Sequence, residues 1–296
     1  MERRVPAHLY FVVSAVFHYL GPAFAVLLFA RAGVLGVAWL RIAGAAAVFA
    51  AWRRPWPAWR RLDRGGRRLV VAWGAVLAVM NVCFYAAIAP LPLGTVAAVE
   101  FLPVVALAAI GAGGRRNLLA VGAAAGGVWL VTDVRLVAEP LGIAFAFANA
   151  LLFAAYIVLG HRAAAGGAGV DALALAMLAA LVVVTPLAGW RAAPLLGDPL
   201  ALAAGAGVGI CSSVVPYVTD QLAMARLARA TYALLVALLP ATATVVGALV
   251  LGQVPSGREL AGVMLVVAGV ALHQPTSQGT GRAGRSWLRR RYRASR

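Results

Sequence analysis

The stretch Leu93-Gly94-Thr95-Val96-Ala97-Ala98-Val99-Glu100-Phe101-Leu102-Pro103-Val104-Val105-Ala106-Leu107-Ala108-Ala109-Ile110-Gly111-Ala112 decides the fold. Its 20 residues hold one charge, Glu100. As a helix it rises about 30 Å, the thickness of a hydrocarbon layer. Pro90 and Pro92 open it and Gly113-Gly114 closes it, so turn residues bound it at both ends.

Working outward, the same pattern recurs. Ten apolar runs are expected to cross the membrane, at about 8–29, 33–52, 69–89, 93–112, 118–134, 140–160, 170–189, 199–219, 229–251 and 258–273. The whole chain agrees: of 296 residues 63% are hydrophobic and 12% charged. A soluble domain carries about 25% charged residues. The composition therefore excludes an ordinary soluble enzyme, a disordered chain and a disulfide scaffold. The run from His8 to Phe29 is too long for the apolar part of a signal peptide and reads as the first membrane helix. Cys83 and Cys211 both lie in apolar runs, without metal or redox spacing, and read as buried thiols.

The net charge is +17, and every basic residue is Arg. With the N-terminus inside, the inner segments hold 21 Arg and the outer loops 4, namely Arg31, Arg135, Arg191 and Arg258. Basic residues gather on the cytoplasmic side, so both termini are expected in the cytoplasm of a multi-pass protein of the bacterial inner membrane. This placement explains the positive charge without nucleic acid. Residues 274–296 read as a basic, disordered cytoplasmic tail that can lie on anionic lipid. Trp52, Trp56, Trp59 and Trp190 read as interface anchors.

The two halves resemble each other at an offset of 137 residues. Val99-Glu100-Phe101-Leu102-Pro103 falls on Val236-Ala237-Leu238-Leu239-Pro240, and Tyr19 falls on Tyr156. Slightly larger offsets, 141 and 142, set Leu119-Ala120 on Leu260-Ala261 and Gly127-Val128 on Gly269-Val270. Five helices per half is an odd number, so the second half enters from the opposite side. The expected fold is an all-α membrane protein of ten transmembrane helices in two inverted five-helix repeats, residues 1–134 and 135–273.

Membrane-buried charges mark the candidate site. On insertion scales each costs about 2.5–3.5 kcal/mol at mid-span. Arg41 in the second span and Glu100 in the fourth lie at similar depth, which allows an ion pair. Arg41 can hold a substrate carboxylate, and Glu100 an ammonium or a coupling proton. A purely structural buried pair, or an Arg reaching the interface, explains the same residues. Polar residues gather at helical spacing on other spans: Ser14 with His18, Asn81 with Tyr85, Asn149 with Tyr156, and Ser213 with Tyr217. They line a pathway or bond neighbouring helices. The substrate-binding set is His18, Arg41, Asn81, Tyr85, Glu100, Tyr156 and Tyr217, with Glu100 as the proton-coupling group. Pro103 and Pro240 share a repeat position and are expected to kink the fourth and ninth helices. Asp133 and Asp220, near span ends, read as solvated.

Further motifs carry a family resemblance. They are Met80-Asn81-Val82-Cys83-Phe84-Tyr85 running into Pro92-Leu93-Gly94, Val99-Glu100-Phe101, Ala154-Ala155-Tyr156-Ile157-Val158-Leu159-Gly160-His161-Arg162 and Pro216-Tyr217. Leu239-Pro240 through Leu251-Gly252 and Leu260-Ala261-Gly262 complete the set. With them, residues 8–273 resemble the EamA type of the drug/metabolite transporter superfamily, nearest to its bacterial threonine/homoserine exporters. The resemblance implies ten helices in two halves, cytoplasmic ends and export of a small metabolite. Leu239, Gln253 and His18-Tyr19-Leu20-Gly21 depart from the family's usual residues.

The expected function is export of small metabolites, amino acids first, by proton antiport, from a monomer or homodimer whose partners are a small-molecule substrate and membrane lipid. Efflux of cationic drug-like compounds and a membrane scaffold without transport are the alternatives. No paired His, acidic motif or Ser-His-Asp set is present, so no metal, cofactor or enzyme activity is expected.

Overall fold

The computed structural model describes residues 7–112, 115–136, 139–165, 169–224 and 238–272. These residues are helical, with no strand among them. The last twenty-odd residues and the start of the expected ninth span lie outside the described residues, as do the side chains of Asp133 and Asp220.

Helix α1 covers Ala7–Arg53 and contains a break at Gly33, whose φ of 64° and ψ of 164° suit a residue without Cβ. The first two expected spans are thus two limbs joined by one glycine rather than by a loop. Arg54 (φ 45°) turns the chain into α2, Trp56–Arg61. Asp63 then caps α3, Arg64–Ile88, by accepting the Gly66 amide at 2.7 Å. Pro90 and Pro92 lie between α3 and α4, Leu93–Ala112. Helices α5 (Arg115–Leu136), α6 (Pro140–Ala165) and α7 (Gly169–Val184) follow.

Helix α7 runs on through a π-turn at Thr185–Gly189, which contains Pro186, and a short 3₁₀ turn ends at Gly197. Asp198 caps α8, Pro199–Gly209, by accepting the Leu200 and Ala201 amides. A second π-turn, Ile210–Val214, leads into α9, Val215–Met224. Helix α10, Leu239–Leu251, ends on left-handed Gly252. Ser256 and Glu259 cap each other at the start of α11, Gly257–Leu272.

Pro103 lies inside α4 as expected. Pro240 instead occupies the first turn of α10, a position where the missing N–H loses no helix bond. Its expected mid-helix kink is therefore not a feature of the described residues.

Among the described residues, five segments are long and apolar enough to cross a membrane: Leu9–Arg53, Arg64–Ile88, Pro140–Gly160, Val170–Gly197 and Pro199–Thr219. Leu93–Pro103 and Leu239–Leu251 are shorter apolar helices. Leu27, Leu118, Trp129, Leu151, Val182 and Leu249 face outward, which suits lipid and not water. Trp52, Trp56 and Trp190 are exposed. Cys83 and Cys211 are free thiols, the first buried and the second half-buried.

Small residues set the packing. Helix α3 lies against α6 and α7, while α8, the second π-turn and α9 lie against α1. Helices α5 and α11 pair closely. The approach of α1 to the second π-turn depends on Gly21, because a Cβ there would fall 2.7 Å from the Ser212 amide nitrogen. A Cβ on Gly209 would fall 2.6 Å from the Arg41 carbonyl. Two glycines thereby bring Arg41 and Ser212 within bonding reach.

Candidate functional site

Arg41 sits on the second limb of α1 and is buried, 6% exposed. Its Nε donates to Ser213 Oγ at 3.1 Å and its Nη2 to the Ser212 carbonyl at 3.0 Å. That carbonyl is available for a local reason. Pro216, four residues on, has no N–H to return to it. Ser14 Oγ donates to the carbonyl of Pro216 at 3.2 Å, which joins the first limb of α1 to α9. The guanidinium carbon lies 5.4 Å from the centre of the Tyr85 ring, within cation–π range.

Glu100 is buried on α4, 5% exposed. Its Oε1 accepts from Asn149 Nδ2 on α6 at 3.1 Å. The allowed ion pair with Arg41 is not formed. The ion pairs among the described residues are Arg31–Asp198 at 2.7 Å and Arg53–Asp171 at 2.8 Å. Arg41 and Glu100 instead line one cavity of about 20 Å³, together with His18, Pro22, Asn81, Asn149, Phe153 and Tyr217. That volume is on the order of one water molecule.

Each expected site residue can now be placed. His18, Arg41, Asn81, Glu100 and Tyr217 line the cavity. Asn81 turns its Nδ2 back to the Leu77 carbonyl of its own helix at 2.8 Å. Tyr85 lies under Arg41. Tyr156 stacks on Tyr217 at 6.1 Å and on Phe153 at 6.2 Å, so it backs the cavity wall from behind. Trp73 extends this aromatic wall, 5.5 Å from Tyr156.

A set of orphaned atoms surrounds the same centre. The Tyr19 hydroxyl, Asn149 Oδ1 and Trp73 Nε1 are buried without a hydrogen-bond partner among the described residues, while the Tyr85 hydroxyl lies beside the Arg41 and Ser212 side chains. Each such atom costs about 1–3 kcal/mol when nothing satisfies it. Asn149 lines the cavity, Tyr19 follows the lining residue His18 in the chain, and Trp73 stands further back against Tyr156. Tyr19, Ser212, Phe153 and Trp73 were not marked from sequence. The pairing of Tyr19 with Tyr156 in the repeat was the one available signal for them.

A wider space of about 280 Å³ opens between the α3–α4 and α10–α11 turns, lined by Val26, Ile88, Pro90, Thr95, Gln253 and Glu259 among others. Val26 follows Pro22 by four residues, and Ile88 follows Phe84 by four. The same faces of α1 and α3 therefore run from the small cavity to the wide one, about 6 Å further along each helix. Gln253 Oε1 accepts the Leu93 amide at 3.0 Å across the rim of this space.

Fold and site together define a polytopic helical membrane protein with a buried acid and a buried base around one polar centre. Residues 140–273 match the EamA-like transporter family. The threonine/homoserine exporters RhtA of Salmonella typhimurium (strain LT2) and of Escherichia coli (strain K12) are each 29% identical over 252 residues, covering 84% of this chain and 84% of theirs. A solved crystal structure shares the fold, with a TM-score of 0.57, 20% identity and coverage of 90% of this chain and 97% of that one.

Proposed function

We propose that this chain is an inner-membrane secondary transporter that exports small metabolites, amino acids first, in exchange for protons. The carrying observation is that Arg41 and Glu100 line one cavity without pairing, with the unpaired Asn149 Oδ1 on a lining residue beside them. Arg41 gives two of its five N–H donors to Ser212 and Ser213 of the second π-turn, which leaves others for a substrate carboxylate. Glu100, bonded by a single amide, takes the substrate ammonium or a proton. The two compete for one carboxylate, and that competition is the coupling.

The cavity is too small for an amino acid, so this form is closed around the site. Entry and exit follow the shared faces of α1 and α3 into the wide space beside Pro90. The two π-turns, each with a proline in it or just after it, provide local give in α7 and between α8 and α9. Arg41 on the cavity wall works against a cationic cargo. Orphaned polar atoms around an interior space work against a purely structural bundle.

The inverted ten-helix reading draws support from a reciprocal contact. A Cβ on Gly262 would fall 2.7 Å from the Gly127 carbonyl, and a Cβ on Gly269 would fall 2.7 Å from the Ala120 carbonyl. The two contacts set α5 and α11 antiparallel, as a two-fold between them requires. The packing of α3 on α6 and α7, echoed by α8 on the limbs of α1, fits the same relation between residues 1–134 and 135–273. Both ends lie in the cytoplasm in this reading, from the distribution of Arg.

Efflux of labelled threonine from loaded vesicles, with and without an inward proton gradient, tests the proposal. The expected result is gradient-driven efflux that Glu100→Gln uncouples and Arg41→Gln reduces at least tenfold. Equal efflux from all three chains overturns it.

A further inference from the structure

We propose that the turn between α1 and α3 is a preformed binding surface for the phosphodiester headgroups of anionic phospholipids. Between residues 53 and 68 lie seven Arg: Arg53, Arg54, Arg60, Arg61, Arg64, Arg67 and Arg68. All seven are exposed. Orientation in the membrane requires only their number; this turn also fixes their arrangement.

Two contacts remove the nearby acids. Asp171 accepts Arg53 Nε and Nη2, both at 2.8 Å, which pins the end of α1 to α7. Asp63, the single acid within the turn, spends its carboxylate on the Gly66 amide. Arg54, Arg60, Arg61, Arg64 and Arg68 have no ion pair among the described residues. The turn is folded rather than loose. Left-handed Arg54 and Pro55 start α2, and Arg67 covers the Trp59 ring at 5.3 Å.

Depth completes the argument. Helices α1 and α3 are both apolar spans, so the turn that joins them lies where hydrocarbon gives way to headgroups. Trp52 and Trp56 project there, 53% and 55% exposed, as side chains of that boundary do. Guanidinium groups grip phosphate oxygens in pairs, and those left unpaired here have no protein anion to serve. Negative lipid supplies phosphates at that depth, at high local concentration.

The test uses the purified full chain in detergent, titrated with phosphatidylglycerol or phosphatidylcholine at equal mole fraction, with retained lipid counted by native mass spectrometry. The expected result is at least tenfold more phosphatidylglycerol than phosphatidylcholine. The variant Arg60→Gln/Arg61→Gln/Arg64→Gln should lose that preference and keep its melting temperature. A second variant, Arg289→Gln/Arg290→Gln/Arg291→Gln, removes the same charge from the tail and should keep it. Equal retention of the two lipids overturns the proposal. So does a preference that survives the first variant, or one that disappears with the second.

Discussion

Asn149 Nδ2 donates to Glu100 Oε1 at 3.1 Å, an amide of α6 meeting the carboxylate of α4. It is the hydrogen bond the described residues give that carboxylate, and it joins residues 49 apart in the chain. The other face of the amide, Asn149 Oδ1, is buried and unpaired. One side chain thus both holds the acid and offers an acceptor toward the centre. A bond to a charged group is worth about 1.5–3 kcal/mol. Asn149→Ala should cut amino-acid efflux about tenfold, and it should lower the melting temperature less than Glu100→Ala does. Vesicle efflux and calorimetry on the same preparations check both.

Pro216 carries a second prediction. Its missing N–H leaves the Ser212 carbonyl to Arg41 Nη2. Pro216→Ala returns an N–H that competes with Arg41, and relieves a proline that costs a helix interior about 3 kcal/mol. The variant should melt higher and transport several-fold less. A rise in both stability and efflux would show that Arg41 does not need that carbonyl.

Glycines separate close packing from composition. At Gly21 an added Cβ would fall 2.7 Å from the Ser212 amide nitrogen and 2.9 Å from its Cα. Backbone atoms cannot swing aside, so Gly21→Ala should cost about 1–3 kcal/mol as overpacking and shift the turn that anchors Arg41. At Gly122 nothing lies within 4 Å, and Gly122→Ala should gain about 0.5–1 kcal/mol. Thermal unfolding in detergent should move the two variants in opposite directions.

The five segments long enough to cross a membrane were legible because length and apolarity are properties of single segments. The break between the first two expected spans fell at Gly33, where the residue type that tolerates φ 64° was visible. Arg41 and Glu100 stand out in the sequence because charge in an apolar span is costly, and both are buried. Their separation was not legible, since periodicity fixes which face of a helix a residue occupies and not which neighbour meets that face. The partners proved to be a carbonyl freed by Pro216 and an amide on α6. Tyr19, Phe153 and Trp73 escaped notice because an aromatic ring in an apolar run looks like packing. The aromatic wall of Phe153 and Trp73 depends on Tyr156 of α6 stacking on Tyr217 of α9, a contact between helices distant in sequence.

Asp198 gives the pH dependence its sign. The Ala201 amide above all, then the Arg31 guanidinium and the Leu200 amide, hold its carboxyl below the usual range for an aspartate, against a smaller opposing effect of burial. The start of α8 adds a favourable dipole. A group whose pKa is depressed on folding stabilises the fold above its unfolded pKa, about 3.9 for Asp, and loses that contribution as pH falls through the folded value. Asp198→Asn keeps an oxygen for the helix cap and removes the charge. It should lower the melting temperature at pH 7, and the gap to the parent chain should close below about pH 4, where the parent carboxyl takes up its proton. Asp198→Ala removes the cap as well, and part of its deficit should persist at every pH. Melting curves of the three chains between pH 3 and pH 8 decide the matter, and a constant gap for Asp198→Asn would show that the charge of this residue contributes nothing.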